Sequence, residues 1–447
     1  MASPTPQTKI VQLSPFDLMG PVHFTRLLLF FQAPDTNHMT IRSHVTASLA
    51  VMVKRDPFVA GKVYTPPTGH RYLAFSTTVP ENFDPQRNGM LQFQYAEDDY
   101  AALREGGFAG VPGEAEYYHW LEARLAAGDT DVLPLLAFHV TFVRGGFALA
   151  LWSNHAVLDG ASTARVMRLW VEALQVVSTV SEEAANSLPL APAIDVDKEI
   201  GLQSWHMLPS EVTDSCSERP DGLISLDEST SEANVNPSEI VSRTFTFLTK
   251  DLQRIRRPDG SSTAPFRCAA ALLLVAVLRA RSKAGLIPKD ATTATAGIVS
   301  SFREALKVPS TALGNYAGYH STTFPLQDLL NNNESLSTIL SKTLEHITTL
   351  ISISKHPHPT HARLAWLTHQ LMHHATNPHS IFYGPPSTTS PATSIIFNTW
   401  EMLGSEAEYV QMLGVLQCVR KPHVSTSGQV LFMPVVGGER EEVLRCT

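Results

Sequence analysis

Apolar positions along the first half of the chain follow two different periods. Phe24 to Gln32 (FTRLLLFFQ) is almost continuously apolar, the pattern of a strand covered on both faces. Ile41 to Val53 places apolar residues at helical spacing. It stops before Asp56-Pro57, where proline disfavours helical geometry in the residue ahead of it. Leu135 to Val143 and Phe147 to Trp152 are apolar runs on either side of Arg144-Gly145-Gly146, which predicts a hairpin. Its second strand runs into His155. Gly160-Ala-Ser-Thr163 then opens a helix carrying Val166, Met167, Leu169, Trp170, Val171 and Leu174.

From about Ser178 to Ser238 the periodicity fades and Ser, Pro, Glu and Asp dominate, as in a crossover linker over a surface. Beyond it the pattern predicts a strand over Arg243 to Leu248, a helix from about Ala264 to Ala284 and a strand over Ala296 to Ser301. A helix over Leu336 to Ile353 and strands over Ser394 to Trp400 and Val430 to Pro434 follow. No repeat of solenoid period is present. Strands and helices mix in both halves, so the expected class is α/β with mixed sheets.

A chain of 447 residues exceeds one ordinary core, and two domains are expected. The boundaries fall at 1–205 for the first, 206–238 for the linker and 239–447 for the second. The net charge of -8 carries no basic footprint, which argues against nucleic acid as a partner. Cys216, Cys268, Cys418 and Cys446 lack metal-like spacing and read as reduced thiols of an intracellular protein. The opening residues carry no apolar signal core, so a cytoplasmic location is the default expectation. The most apolar stretch, Ala269 to Leu278, lies between Arg267 and Arg279. It is too short to span a bilayer and reads as a buried helix, so no membrane association is expected.

Chemistry concentrates at Trp152-Ser-Asn-His-Ala-Val-Leu-Asp-Gly160. A histidine where a buried strand ends and a helix begins is aimed by rigid elements, which suits a general base. Asp159, beside Gly160, could cap the following helix or pair with an arginine. The string His-x-x-x-Asp-Gly is short, and a satisfied core histidine in a strand-to-helix turn would produce the same letters.

The order of further motifs strengthens the case. Leu13-Ser-Pro-Phe-Asp17, Ser48-Leu49 with Asp56-Pro-Phe-Val-Ala-Gly61, and His155 to Gly160 occur in the first half. Ser262-Thr263 with Cys268-Ala-Ala and Arg279-Ala-Arg281, Ser301-Phe-Arg303, Gly314-Asn315 and Asn398-Thr-Trp400 occur in the second. In this order they resemble the coenzyme A-dependent acyltransferases of the BAHD family, and most closely its fungal secondary-metabolite branch, which includes the trichothecene 3-O-acetyltransferases. One segment departs: where the family has Asp-Phe-Gly-x-Gly, this chain has Tyr409-Val-Gln-Met-Leu-Gly414, and only the last glycine is kept.

The resemblance implies two similar chloramphenicol-acetyltransferase-like domains with the active-site channel between them. It implies an acyl-CoA co-substrate, no permanently bound cofactor, a small-molecule acceptor and a monomer. His155 would be the base, with Asn398 and Trp400 as oxyanion donors and Ser262 and Thr263 beside the coenzyme. Asp159, Gly160 and Arg303 would be structural at the site, Asp159 pairing with Arg303. Acyl transfer, with acetyl as the expected group, is thus the favoured activity. A coenzyme A-independent cyclase or isomerase of a natural-product intermediate on the same fold remains the alternative. Condensation domains of peptide synthetases carry His-His-x-x-x-Asp-Gly, whereas Asn154 stands first here.

Two other patterns carry less. Seven histidines crowd 356–379, but no cysteine or carboxylate completes a metal set. Ser352-Ile-Ser-Lys355 fits Ser-x-x-Lys without its companion motifs.

Overall fold

The computed structural model describes residues 7–14, 17, 24–66, 71–108, 131–179, 194–195, 223–225, 243–353, 381–383, 391–401, 403, 410–421, 428–436 and 443–446. Of the expected 206–238 linker only Leu223–Ser225 lies within these residues, and the histidine-rich 356–379 lies outside them. The chain divides into two compact units. The first comprises Met1–Met207, Thr311–Asn315 and Met402–Pro422. The second comprises Leu208–Ser310, Tyr316–Glu401 and His423–Thr447.

In the first unit the chain runs through β1 (Thr8–Gln12), β2 (Phe24–Gln32), α1 (His38–Arg55), β3 (Lys62–Tyr64), β4 (Tyr72–Ser76) and β5 (Leu91–Asp99). It continues through α2 (Tyr100–Glu105), β6 (Val132–Pro134), β7 (Leu136–Arg144), β8 (Gly146–Asn154) and α3 (Gly160–Thr179). The main sheet has five strands, in the order Val415–Arg420, β2, β8, β7, β5, and a smaller sheet has the order β1, β4, β3, β6. β2 and β8 pair antiparallel along their whole length, from Phe24↔Asn154 to Gln32↔Gly146. The hairpin predicted around Gly145 joins β7 to β8, with Gly145 at φ 83°. Gly146 also has no room for a side chain, since a Cβ there would lie 2.3 Å from the Tyr100 ring and 2.5 Å from the Phe31 carbonyl oxygen.

Both faces of β8 are covered, so every one of its residues is buried. Phe24, Leu28, Phe30, Ala148, Ala150 and Trp152, alternate positions on β2 and β8, share one apolar cluster. On the opposite face Ser153 and Thr163 join β8 to α3 through their hydroxyls at 2.8 Å. α3 packs on α1, where the Trp170 indole N–H donates to Ser48 Oγ at 2.9 Å and Ser48 donates onward to the Val45 carbonyl at 3.1 Å.

The second unit carries β9 (Phe245–Leu248), α4 (Pro265–Lys283), β10 (Thr293–Ser301), β11 (Ala317–Pro325), α5 (Leu336–Ile353), β12 (Ser394–Thr399), β13 (Gln429–Met433) and β14 (Val443–Cys446). Its sheet has the order β9, β14, β13, β12, β10, β11, and β10, β12 and β13 run parallel. α4 contains the apolar stretch read as a buried helix, and Ala269, Ala270, Ala271, Leu274 and Leu278 lie in the unit's core with Leu344 and Ile347 of α5. Among the described residues no helix is long and apolar enough to cross a membrane. Arg281 donates to the carbonyls of Pro391, Ala392 and Ser394, and Arg279 to those of Leu329 and Asn331. The arginines of the Arg-Ala-Arg motif therefore tie α4 to the loops that lead into and out of the sheet.

Replacing Ser48 with alanine strands the buried Trp170 indole N–H. A lost buried acceptor costs about 1–3 kcal/mol, so Ser48→Ala is expected to unfold at lower urea by that margin, with an unchanged denaturant slope.

Candidate active site

β8 ends at Asn154, and Asn154 itself builds the turn that follows. Its carbonyl accepts from Val157 N at 3.0 Å and Leu158 N at 2.9 Å. Its side-chain oxygen accepts from Ala156 N at 3.2 Å, and its side-chain amide donates to the Pro134 carbonyl at 3.5 Å. His155 rides on this turn. Asp159 then caps α3: its carboxylate accepts from Ser162 N at 2.9 Å, its carbonyl from Thr163 N at 2.8 Å, and Gly160 begins the helix. Of the two roles the sequence left open for Asp159, the cap is present in the geometry, and the side chain is only 2% exposed.

Residues remote in sequence complete the surroundings. The Asn315 side-chain amide donates to the His155 carbonyl at 2.9 Å, and the Asn315 backbone N–H donates to Asp17 Oδ1 at 2.7 Å. Asp17 Oδ2 accepts from Ser14 N at 3.0 Å and Ser14 Oγ at 2.6 Å. Ser162 Oγ donates to the Gly314 carbonyl at 2.7 Å. The motifs Leu-Ser-Pro-Phe-Asp and Gly-Asn thus meet at the histidine turn. The sequence singled them out without a role, because nothing local signals a contact across 298 residues.

The electrostatics favour a neutral imidazole. Burial lowers the His155 pKa below its ordinary 6.5. Its own main-chain carbonyl and the Asp159 charge oppose that shift, while Lys421 adds to it. Lys421 is itself pushed down to about 8 by burial and by Arg26. The Arg26 guanidinium lies over the Trp152 ring at 5.0 Å. Burial raises the Asp17 carboxyl to about 7 against the pull of its three hydrogen bonds, and it lowers Arg71 to about 10, with Asp17 opposing. Lys421, Arg26 and Arg71 carry no motif that marks them as site residues in sequence, whereas Asp17 closes the Leu-Ser-Pro-Phe-Asp motif.

The remaining candidates lie in the second unit. Asn398 is half-buried on β12, opposite Leu431 of β13. Trp400 follows β12 with its backbone N–H on the Phe432 carbonyl at 2.7 Å, and it is 6% exposed. Arg303, 3% exposed, follows β10. Its guanidinium donates to Ser301 Oγ at 3.2 Å and lies over the Tyr316 ring at 4.6 Å. Because β10 and β12 are parallel neighbours, Arg303 and Trp400 sit at the carboxyl ends of adjacent strands, where open α/β sheets gather functional groups. Ser262 is exposed and Thr263 half-buried in the loop ahead of α4. Among the described residues no cluster of His, Cys, Asp and Glu could hold a metal ion. Cys268 and Cys418 are free thiols.

Asparagine caps helices as well as aspartate does, whereas alanine loses about 0.5–2 kcal/mol. Asp159→Ala is therefore expected to melt below wild type, and Asp159→Asn to recover the cap's share. Equal melting temperatures for the two variants would show that the cap carries none of the stability.

Residues 1–192 match the model of the Transferase family. The malonyl-CoA:anthocyanidin 5-O-glucoside-6''-O-malonyltransferase of Arabidopsis thaliana is 24% identical over 209 residues, 46% of this chain and 43% of that enzyme, so the match spans less than half of the relative's length. Among solved structures, F. graminearum TRI101 complexed with ethyl coenzyme A is similar at a TM-score of 0.69 and 15% identity, over 98% of this chain and 94% of that one. Vinorine synthase is similar at 0.58 and 14%, over 99% and 91%. At such identities the structures speak to the fold, and they do so along nearly the whole chain. The first 192 residues are thus similar to the Transferase family in sequence, and nearly the whole chain is similar to TRI101 and vinorine synthase in fold.

Proposed function

We propose that this protein transfers an acyl group, acetyl being the expected one, from a coenzyme A thioester to a hydroxyl or amine of a small secondary metabolite. The observation that carries the reading is His155, an imidazole held neutral by burial on a turn braced by Asn154, Asp159 and Asn315. An unactivated alcohol is a poor nucleophile at neutral pH, and a positioned neutral histidine is the group that corrects this. His155 takes the acceptor proton as the acceptor oxygen bonds to the thioester carbonyl carbon. The carbon–sulfur bond then breaks, and the protonated histidine returns its proton to the leaving thiolate. No acyl-enzyme is formed.

The developing oxyanion calls for a donor, and Asn398 and Trp400 hold the only roles of that kind implied by the motif resemblance. Removing such a donor typically lowers kcat by about 10²–10³-fold. Ser262 and Thr263 are the proposed coenzyme contacts. The reading is supported by the names of similar proteins, a malonyl-CoA-dependent transferase and a protein crystallised with ethyl coenzyme A. It takes the protein as a cytoplasmic monomer of fungal secondary metabolism with acyl-CoA as co-substrate.

Calorimetry with acetyl-CoA and malonyl-CoA on wild type and His155→Ala, followed by thiol release with an acceptor panel, tests it. Both proteins should bind a thioester, and the variant should lose about 10²–10⁴-fold in turnover. Because the His155 pKa is depressed, the working neutral form already predominates above 6.5. The rising limb of kcat/KM should therefore lie below that value, with a plateau through neutral pH. A folded wild type that binds no acyl-CoA would overturn the proposal in favour of chemistry without coenzyme A.

A further inference from the structure

We propose that Asn315 and Asp17 act as a clamp that positions the His155 imidazole, making both of them positioning residues for the reaction. This inference deepens the acyltransferase reading and rests on it. The bonds from Asn154 and Asp159 fix the backbone N–H groups after His155 and the start of α3. Neither fixes the His155 carbonyl. That oxygen is held at 2.9 Å by the side-chain amide of Asn315, 160 residues away in sequence.

The short segment that delivers this amide is pinned on both sides. Ser162 of α3 holds the Gly314 carbonyl at 2.7 Å, and Asp17 holds the Asn315 N–H at 2.7 Å. Asp17 is in turn fixed by two bonds from Ser14. The chain Ser14, Asp17, Asn315, His155 is therefore continuous, and it is buried up to the histidine.

The choice of residues at the two middle positions points beyond packing. Asp17 accepts from three donors, the Ser14 N–H and hydroxyl and the Asn315 N–H, and burying a carboxyl group to gather them is expensive. A charged acceptor makes a shorter and stiffer bond, which matters where the supported group must be held to a fraction of an ångström. The supported oxygen belongs to the main chain of His155 itself, so holding it fixes the backbone from which the imidazole projects. Holding that backbone still limits the positions from which the imidazole can present a ring nitrogen to the acceptor.

The test uses full-length wild type, Asn315→Ala and Asp17→Asn. Asn315→Ala deletes only the amide donor and leaves the backbone bond to Asp17 in place. The readouts are melting temperature, kcat and KM for acyl-CoA, and an NMR titration of the ¹⁵N-labelled His155 ring, assigned with His155→Ala. We expect Asn315→Ala to keep KM within about twofold while kcat falls by about 10²-fold, as for a small misplacement of a reacting group. Its ring titration should shift from that of wild type. Asp17→Asn should change both in the same direction by less, and it carries the comparison if Asn315→Ala does not fold. A folded Asn315→Ala with wild-type ring titration overturns the clamp whatever its turnover. If wild type releases no thiol, the acyltransferase reading fails by itself, and the ring titration alone judges the clamp.

Discussion

The full-length antiparallel pairing of β2 with β8 is the constraint on which the site depends. Nine residues of each strand are matched, and a slip by one would exchange the faces of the strand, breaking up the Trp152 cluster and the Ser153–Thr163 bond. That register decides where β8 stops. Phe24 pairs with Asn154, and the next residue is the histidine. The hairpin to β7 sets the other end, because Gly145 and Gly146 are held by backbone conformation and by the absence of room for a side chain. The proposed base, His155, is thus located by a ladder with both ends fixed, and its turn needs only a few local bonds to complete its aim.

How much of this could be read from letters depends on strand length and on how unbroken the apolar run is. β2, β7 and β8 are interior or covered, carry long apolar runs and were legible within a residue or two. α5 was legible to its end residues. β5, β11 and Val415–Arg420 were not anticipated, and all three are edge strands with polar residues that break any apolar run, whereas the edge strand β9 was anticipated and the short interior strands β3, β4 and β14 were not. β1 is likewise an edge, of the smaller sheet. At the site, His155, Asp159 and Gly160 were legible because their signal is local. The partners Asp17 and Asn315 stood in recognisable motifs, but their role depends on a fold that joins residues hundreds apart, and a single sequence holds no trace of such a contact. The same holds for Lys421, which follows the returning strand and acts on His155, and for Arg26 of β2, which acts on Lys421.

Steric demand explains what was kept where the family pattern is lost. In the segment that replaces Asp-Phe-Gly-x-Gly, Gly414 alone remains. It precedes the strand that pairs Val415 with Gln32, its φ is 154°, and a Cβ there would sit 2.8 Å from the Gln32 carbonyl oxygen. Any other residue would push the returning strand off β2, and with it the position of Lys421, which influences His155. The retained glycine is the position where the backbone leaves no alternative, which separates this unit's architecture from whatever else the family's segment does.

Asp17 shows the cost of the arrangement through pH linkage. Its carboxyl is raised from 3.8 to about 7 in the folded protein. The native state therefore binds the proton more tightly than the unfolded chain, and the contribution of Asp17 to stability falls as pH rises from about 4 to about 7. At neutral pH the carboxylate weighs against the fold, even with three donors and Arg71 nearby. Stability alone would favour a neutral residue here. The local rule is broken two hydrogen bonds from His155, the proposed base, and a buried group that costs stability beside such a residue fits the pattern of functional sites.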